Sequence, residues 1–95
     1  MRRAARVDAN QAQIIAALRQ AGASVQLLHT VGDGCPDLLV GIKRRTFLLE
    51  VKDASGQLTA AQRRWFAGWR GQAAIVRSAE DALRVVGLAR PADRW

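Results

Sequence analysis

The segment from Gly34 to Lys52 constrains the fold more than any other part of the chain. It reads Gly-Cys-Pro-Asp, then Leu38-Leu-Val-Gly-Ile42, then a basic turn, then Thr46-Phe-Leu-Leu-Glu-Val-Lys52. Two apolar runs of strand length around a short polar turn predict a β-hairpin. Three charges stand at one end of it: Asp37 before the first run, and Glu50 and Lys52 at the close of the second. An unpaired charge on a buried strand is costly, so these groups either satisfy one another or hold a cation. Glu50 and Lys52 are two residues apart and project from the same face. A two-residue loop at Lys43-Arg44 would pair Asp37 with Glu50, and a four-residue loop from Lys43 to Thr46 would pair it with Lys52. Either register puts all three side chains on one face, and a slip of one residue would not. Lys43-Arg44 lacks the Asn or Gly that a two-residue turn favours, so the longer loop is expected.

The rest of the chain supplies elements to pack on this hairpin. Asp8 or Asn10 can cap a first helix that Gly22 ends. Ile14, Ile15 and Leu18 form its apolar stripe, which Gln11 continues. Ala23 to Thr30 reads as a strand with Val25, Leu27 and His29 on one face, where His29 is either structural or a ligand or proton shuttle. Val31 to Pro36 is a glycine-rich loop, able to admit a phosphate backbone but without the Lys-Ser/Thr and following helix of a P-loop. Thr59 with Gln62 fits a capping box for a second helix, closed by Gly71. On that helix Leu58, Ala61, Trp65 and Trp69 fall at helical spacing, which suits core or dimer contacts, with stacking on DNA as the alternative. Gln72 to Arg77 is a short strand, parallel to the one before it through a helical crossover. Ser78 with Asp81 caps a last helix that carries Leu83 and Val86 inward and stops at Gly87. Met1 to Val7 reads as a basic arm and residues 88–95 as a tail, whose Trp95 would need a surface on which to dock.

Ninety-five residues make one domain, residues 1–95, small enough that a dimer interface would help bury its core. Lys and Arg number 15 against 8 Asp and Glu, a net charge of +7. The cations cluster at Arg2-Arg3-Arg6, Lys43-Arg44-Arg45, Arg63-Arg64-Arg70 and Arg90-Arg94. That excess suggests a polyanionic partner, most simply nucleic acid, against the plain alternative of a solvated arginine-rich surface. Arg44, Arg45, Arg63 and Arg64 are the candidate phosphate contacts. Cys35 is the single cysteine, which excludes an internal disulfide and fits a reducing compartment. It reads as a small hydrophobe rather than a nucleophile. No apolar h-region follows the basic N-terminus and no apolar run approaches membrane-spanning length, so a cytoplasmic protein with no membrane partner is expected.

Pro36-Asp37, a hairpin's length of chain and Glu50-Val51-Lys52 resemble the signature of the PD-(D/E)XK nucleases. The flanking Gly34-Cys35, the phrase Leu58-Thr59-Ala60-Ala61-Gln62 and the late Val76-Arg77 are similar to the VRR-NUC group, small stand-alone members included, and the likeness runs from about Asp8 to Gly87. The resemblance implies an α/β fold with an αβββαβ restriction-endonuclease-like core, a mixed sheet flanked by helices, and here one further C-terminal helix. It also implies a homodimer and a structure-specific action on branched, Holliday-junction-like DNA. In that group a glutamate on the first helix helps hold metal; the matching residue here is Gln11, which can offer only a carbonyl oxygen, and Asp8 one turn earlier is a possible substitute. The glutamine matching Gln62 lies near the active site there.

Residue types then suggest a chemistry. Asp37 and Glu50 are hard oxygen ligands suited to Mg²⁺ or Mn²⁺, with the Val51 carbonyl as a third. Such an ion would activate water and polarise phosphate, while Lys52 would orient the attacking water and stabilise developing negative charge. The expected activity is endodeoxyribonucleolytic phosphodiester hydrolysis, with no small-molecule cofactor. Two alternatives stand beside it. One is a non-catalytic DNA-binding protein on the same scaffold; the other is a buried ion-paired cluster of no chemical use.

Overall fold

A computed structural model describes residues 9–88. The elements run α1 (Ala9–Gln20), β1 (Ser24–Leu27), β2 (Leu38–Ile42), β3 (Arg45–Val51), α2 (Ala60–Gly68), β4 (Ala73–Val76) and α3 (Ala79–Val85). The four strands form one sheet in the order β1-β2-β3-β4. The first three are antiparallel, and β4 runs parallel to β3 because α2 carries the chain back between them. The molecule is thus a small α/β fold with a mixed sheet flanked by helices, as the sequence leads one to expect.

Alternation along the strands decides which face is covered. Val25, Leu27, Leu38, Val40, Phe47, Leu49, Val51 and Val76 share one face and pack against Ile14, Ile15 and Leu18 of α1 and Ala82 and Val86 of α3. Truncating a fully buried member such as Leu18 or Leu49 to Ala would cost about 2–5 kcal/mol. Gly22, at φ 100°, closes α1 in a Schellman motif: the Ala23 N–H donates to the Leu18 carbonyl and the Gly22 N–H to that of Arg19. The other sheet face carries Leu39, Leu48, Glu50 and the direction of Asp37, and α2 begins against it.

Several details depart from the sequence reading. The hairpin turn is the two-residue one: Ile42 pairs with Arg45, and Lys43 and Arg44 both adopt positive φ, 51° and 64°. Left-handed backbone costs a non-glycine residue roughly 1–2 kcal/mol. The tight turn closes on the Ile42–Arg45 pair and sets Val40 against Phe47 and Leu38 against Leu49 in the core. It also lets Arg45 lie over the Phe47 ring at 5.5 Å while donating to the Val86 carbonyl. Strand β1 stops at Leu27; after a last rung from the Leu28 N–H to the Asp37 carbonyl the chain turns, leaving His29 exposed in the loop. Asn10 is not a cap but an early residue of α1, and Asp8 lies outside the described residues. Helix α2 ends at Gly68 with Trp69 as its C-cap, three residues before Gly71 could act. It buries none of its residues, so the tryptophans are not core: Trp65 is half-buried and Trp69 is 44% exposed. The N-terminal arm, the tail beyond Leu88 and Trp95 also lie outside the described residues. Among those described, no helix is long and apolar enough to cross a membrane.

Candidate active site

The β2–β3 register brings the charged ends of the hairpin together. Leu38 pairs with Leu49, so Asp37 falls opposite Glu50 on the face away from the main core. The Asp37 Oδ2 accepts the Val51 N–H at 2.8 Å, which takes the place of a strand rung. Continuing the register sets Pro36 opposite Val51, and proline has no N–H to give to the Val51 carbonyl. Pro-Asp at this place therefore satisfies the Val51 amide with a side chain and leaves its carbonyl without a donor from the ladder.

Glu50 is 2% exposed. Its Oε2 accepts from the Gln62 side chain at 3.0 Å and faces the Lys52 ammonium at 3.5 Å. Its Oε1 is buried with no hydrogen-bond partner. Burial pushes the Glu50 carboxyl up to about 7, the nearby Asp37 charge adds to the rise, and Lys52 opposes it. A carboxylate held this way invites a positive charge at the open oxygen. The same burial, with the charges of Asp37 and Glu50, raises the Cys35 thiol, so it rests protonated and is a poor nucleophile.

Gln62 performs two tasks at once. Its side-chain oxygen accepts from the Thr59 N–H at 2.9 Å, completing a capping box whose other half is the Gln62 N–H to the Thr59 hydroxyl. Its side-chain nitrogen is the one on Glu50. One side chain thus both caps α2 and orients the carboxylate, which ties the helix to the site. The loop before β2 secures the same tie. Gly34, at φ 79°, lies so close to α2 that a Cβ there would sit 3.0 Å from the Gln62 nitrogen and closer still to the Ala61 carbonyl.

A cavity of about 420 Å³ opens over these groups, lined by Asp37, Glu50, Val51, Lys52 and Gln62 with Gln11, Cys35 and His29. The structure therefore gathers the candidate catalytic and metal residues of the hairpin, together with Gln11 from α1 and Gln62 from α2, but not Arg44 and Arg45. Gln11 is 9% exposed and comes from the first turns of α1, whose start is fixed when Asn10 donates to the Lys52 carbonyl at 3.0 Å and to the Arg77 carbonyl at 3.4 Å. No known family model matches this sequence, and no curated protein or solved structure matches it either.

The basic residues divide. Arg63 and Arg64 are exposed on α2 next to Gln62. Arg44 is exposed at the hairpin tip, about 20 Å along the strand from Glu50 at 3.3 Å per residue. Arg45, exposed as a residue, spends its guanidinium on Phe47 and Val86, a structural use that competes with phosphate binding. Sequence reasoning did not foresee Asn10 or Arg77 as anchors. Arg77 donates to the carbonyls of Asp53 and Gly56 at 2.7 and 2.8 Å, pinning the loop that follows Lys52. Isolated polar residues at strand and helix ends carry no spacing pattern by which such roles could be read.

The donor set suits a hard cation in part. Among the described residues no group of three or more His, Cys, Asp or Glu forms a ligand cluster. Two carboxylates, one with an unpartnered buried oxygen, and a carbonyl denied its ladder donor make a small oxygen set of the kind that leaves room for water and substrate on Mg²⁺.

Proposed function

We propose that this chain is a divalent-metal-dependent endonuclease of the PD-(D/E)XK type that hydrolyses phosphodiester bonds in DNA. The observation that carries the reading is Glu50: a carboxylate 2% exposed, with one oxygen unpartnered, set beside Asp37 and Lys52 at the floor of a polar cavity. A stabilising role alone would pair both oxygens, because an unsatisfied buried oxygen costs about 1–3 kcal/mol.

Asp37, Glu50 and the Val51 carbonyl would hold Mg²⁺ or Mn²⁺, with Gln11 able to add a neutral oxygen. When bound, such an ion supplies Lewis acidity toward the phosphate and lowers the pKa of a water. Lys52, whose ammonium stands 3.5 Å from Glu50, would stabilise the charge that develops on phosphate oxygens. Gln62, donating to Oε2, would hold the Glu50 carboxylate in one orientation and leave the buried Oε1 for the metal. Arg63 and Arg64, one step along α2, would neutralise flanking phosphates without reading sequence. A homodimer belongs to the reading, since two sites about a two-fold axis can cut both strands of a branched junction.

A second reading rests on Gln11. A neutral amide lines the cavity where the resembling nucleases carry a glutamate, which fits a DNA-binding protein whose site is disarmed. Cleavage of labelled four-way junction and linear duplex DNA by wild type and Lys52→Ala, with Mg²⁺, Mn²⁺ or EDTA, separates the two. Metal-dependent cutting that Lys52→Ala loses, with binding retained, is the expected result. Equal cutting by the variant would sink the mechanism, and binding by both without cutting would establish the second reading.

A further inference from the structure

Helix α2 presents an aromatic surface that the fold does not use. Trp65 and Trp69 stack with ring centroids 4.6 Å apart and planes 18° apart, and Phe66 meets Trp65 edge-on at 5.2 Å. None of the helix's residues is buried, and Trp69 remains 44% exposed although Trp65 stacks on its ring and Gly71 lies against its indole nitrogen. Large apolar rings left open on a small domain call for an occupant.

Charge selects among occupants. From Ala54 to Ala79 the chain contains no Asp or Glu, while Arg63, Arg64, Arg70 and Arg77 all fall within it. Arg63 and Arg64 on α2 and Arg70 just past Trp69 flank the indole pair, all exposed. A second copy of the chain docked here about a two-fold axis would bring these cations against their own images, which is repulsive. Nucleic acid matches both features, because its phosphates neutralise the arginines and its bases have faces for the indoles.

The position along the helix refines the match. At 1.5 Å per residue, Trp65 and Trp69 lie about 4.5 and 10.5 Å beyond Gln62, whose side chain touches Glu50. That distance spans about three nucleotide steps at 3.4 Å each. Bases within an intact duplex are already stacked and their faces are closed to protein side chains, so only unpaired bases could use the surface.

We propose that the Trp65–Trp69 pair is a stacking platform for unpaired bases lying within about three nucleotides of the cleaved bond, so that the preferred substrate carries a flap, overhang or open junction at the cut. The inference rests on the endonuclease reading of the neighbouring site and adds the shape of the DNA to it. Trp69 is exposed, so its replacement should leave the fold intact, and circular dichroism with a denaturation curve verifies that.

The experiment measures anisotropy of a labelled blunt duplex, and of the same duplex carrying an oligo-dT flap, in EDTA with wild type, Trp69→Ala and Trp69→Phe, alongside light scattering. The expected result is a loss of about 5- to 150-fold in affinity for the flapped DNA with Trp69→Ala, little change for the blunt duplex, and near wild-type binding with Trp69→Phe. An equal loss on both DNAs, no loss on either, or conversion of a dimer to a monomer by Trp69→Ala would each overturn the platform. If wild type bound neither DNA at low salt, the endonuclease reading itself would fall; if it bound both and Trp69→Ala were indifferent, only the platform would.

Discussion

Replacing Glu50 by Gln should stabilise the metal-free protein at alkaline pH while removing its response to metal. The carboxyl is 2% exposed and one of its oxygens has no hydrogen-bond partner, so its ionised form is poorly solvated. Its proton dissociates at about 7 rather than 4.5. Because the folded-state value lies above the unfolded one, the folded chain holds the proton more tightly. Glu50 therefore costs nothing below about pH 4.5 and destabilises progressively as pH rises through 7. At 1.36 kcal/mol per pH unit the penalty is on the order of 3 kcal/mol at pH 8. Glutamine escapes that penalty but forfeits the Lys52 pairing, so a net gain of about 1–3 kcal/mol is expected. Urea denaturation at pH 5 and pH 8 in EDTA reads this directly: the variant should gain at pH 8 and match wild type near pH 5. Mn²⁺ at about a hundredfold excess over its Kd should then stabilise wild type by about 2.7 kcal/mol and leave the variant unmoved. A variant that loses stability at pH 8 would refute the reasoning, because it would mean that Glu50 is ionised and serves as half of a structural ion pair with Lys52.

Other perturbations probe the supports. Gly34→Ala combines positive φ with a collision against the Ala61 backbone, so it should cost at least about 1–2 kcal/mol in a thermal melt and lower cleavage by pushing Gln62 off Glu50. Gln62→Ala removes half of a capping box and the donor on Glu50 Oε2; stability should fall by about 0.5–2 kcal/mol, and the pH at which Glu50 ionises, followed by pH-dependent unfolding, should rise further. Arg45→Ala should lose about 1–3 kcal/mol of stability with little change in DNA affinity, whereas Arg63→Ala with Arg64→Ala should leave the melt unchanged and reduce the salt slope of binding by about 2. Pro36→Ala offers an N–H to the Val51 carbonyl, and Mn²⁺ titration should show about a tenfold or greater loss of affinity.

The fold was legible where burial enforces a period. Ile14, Ile15 and Leu18 on α1, the strand runs of the hairpin and the capped starts of α2 and α3 carry patterns that decide the type of element, and these elements lie where the patterns put them, though the hairpin turn differs. What the sequence did not show was set by contacts between elements. Lys43 and Arg44 are poor residues for a tight turn by local preference, and what favours that turn lies outside it, in the core pairing of Val40 with Phe47 and the seat of Arg45 on Phe47 and Val86. His29 falls off the strand because the glycine-rich loop turns immediately after the Leu28 rung, and nothing in the alternation of Val25 and Leu27 announces it. Trp65 and Trp69 have core spacing, but whether a helix with that spacing is buried depends on whether another element lies over it. The sheet meets α1 and α3 on its other face and leaves α2 with none buried. The placement of Asp37, Glu50 and Lys52 was readable for a simpler reason: both possible hairpin registers differ by two residues and preserve the face.

That invariance bears on how such a site can persist in a chain of 95 residues. Its groups are not carried on a long loop but on strand ends whose faces are dictated by the core behind them. Leu49 and Val51 are buried on one side, so Glu50 and Lys52 are driven to the other. Pro36 interrupts the ladder at one rung, Asp37 repairs the amide half of that rung from its side chain, and the carbonyl half is left facing the cavity. Gln62 and Gly34 then tie α2 to the same point, so the helix that bears Arg63, Arg64 and the open indoles cannot move without disturbing the Glu50 carboxylate. A polyanion gripped along α2 would thereby be coupled to the orientation of the group proposed to hold the metal, through one glutamine that both caps the helix and donates to Glu50.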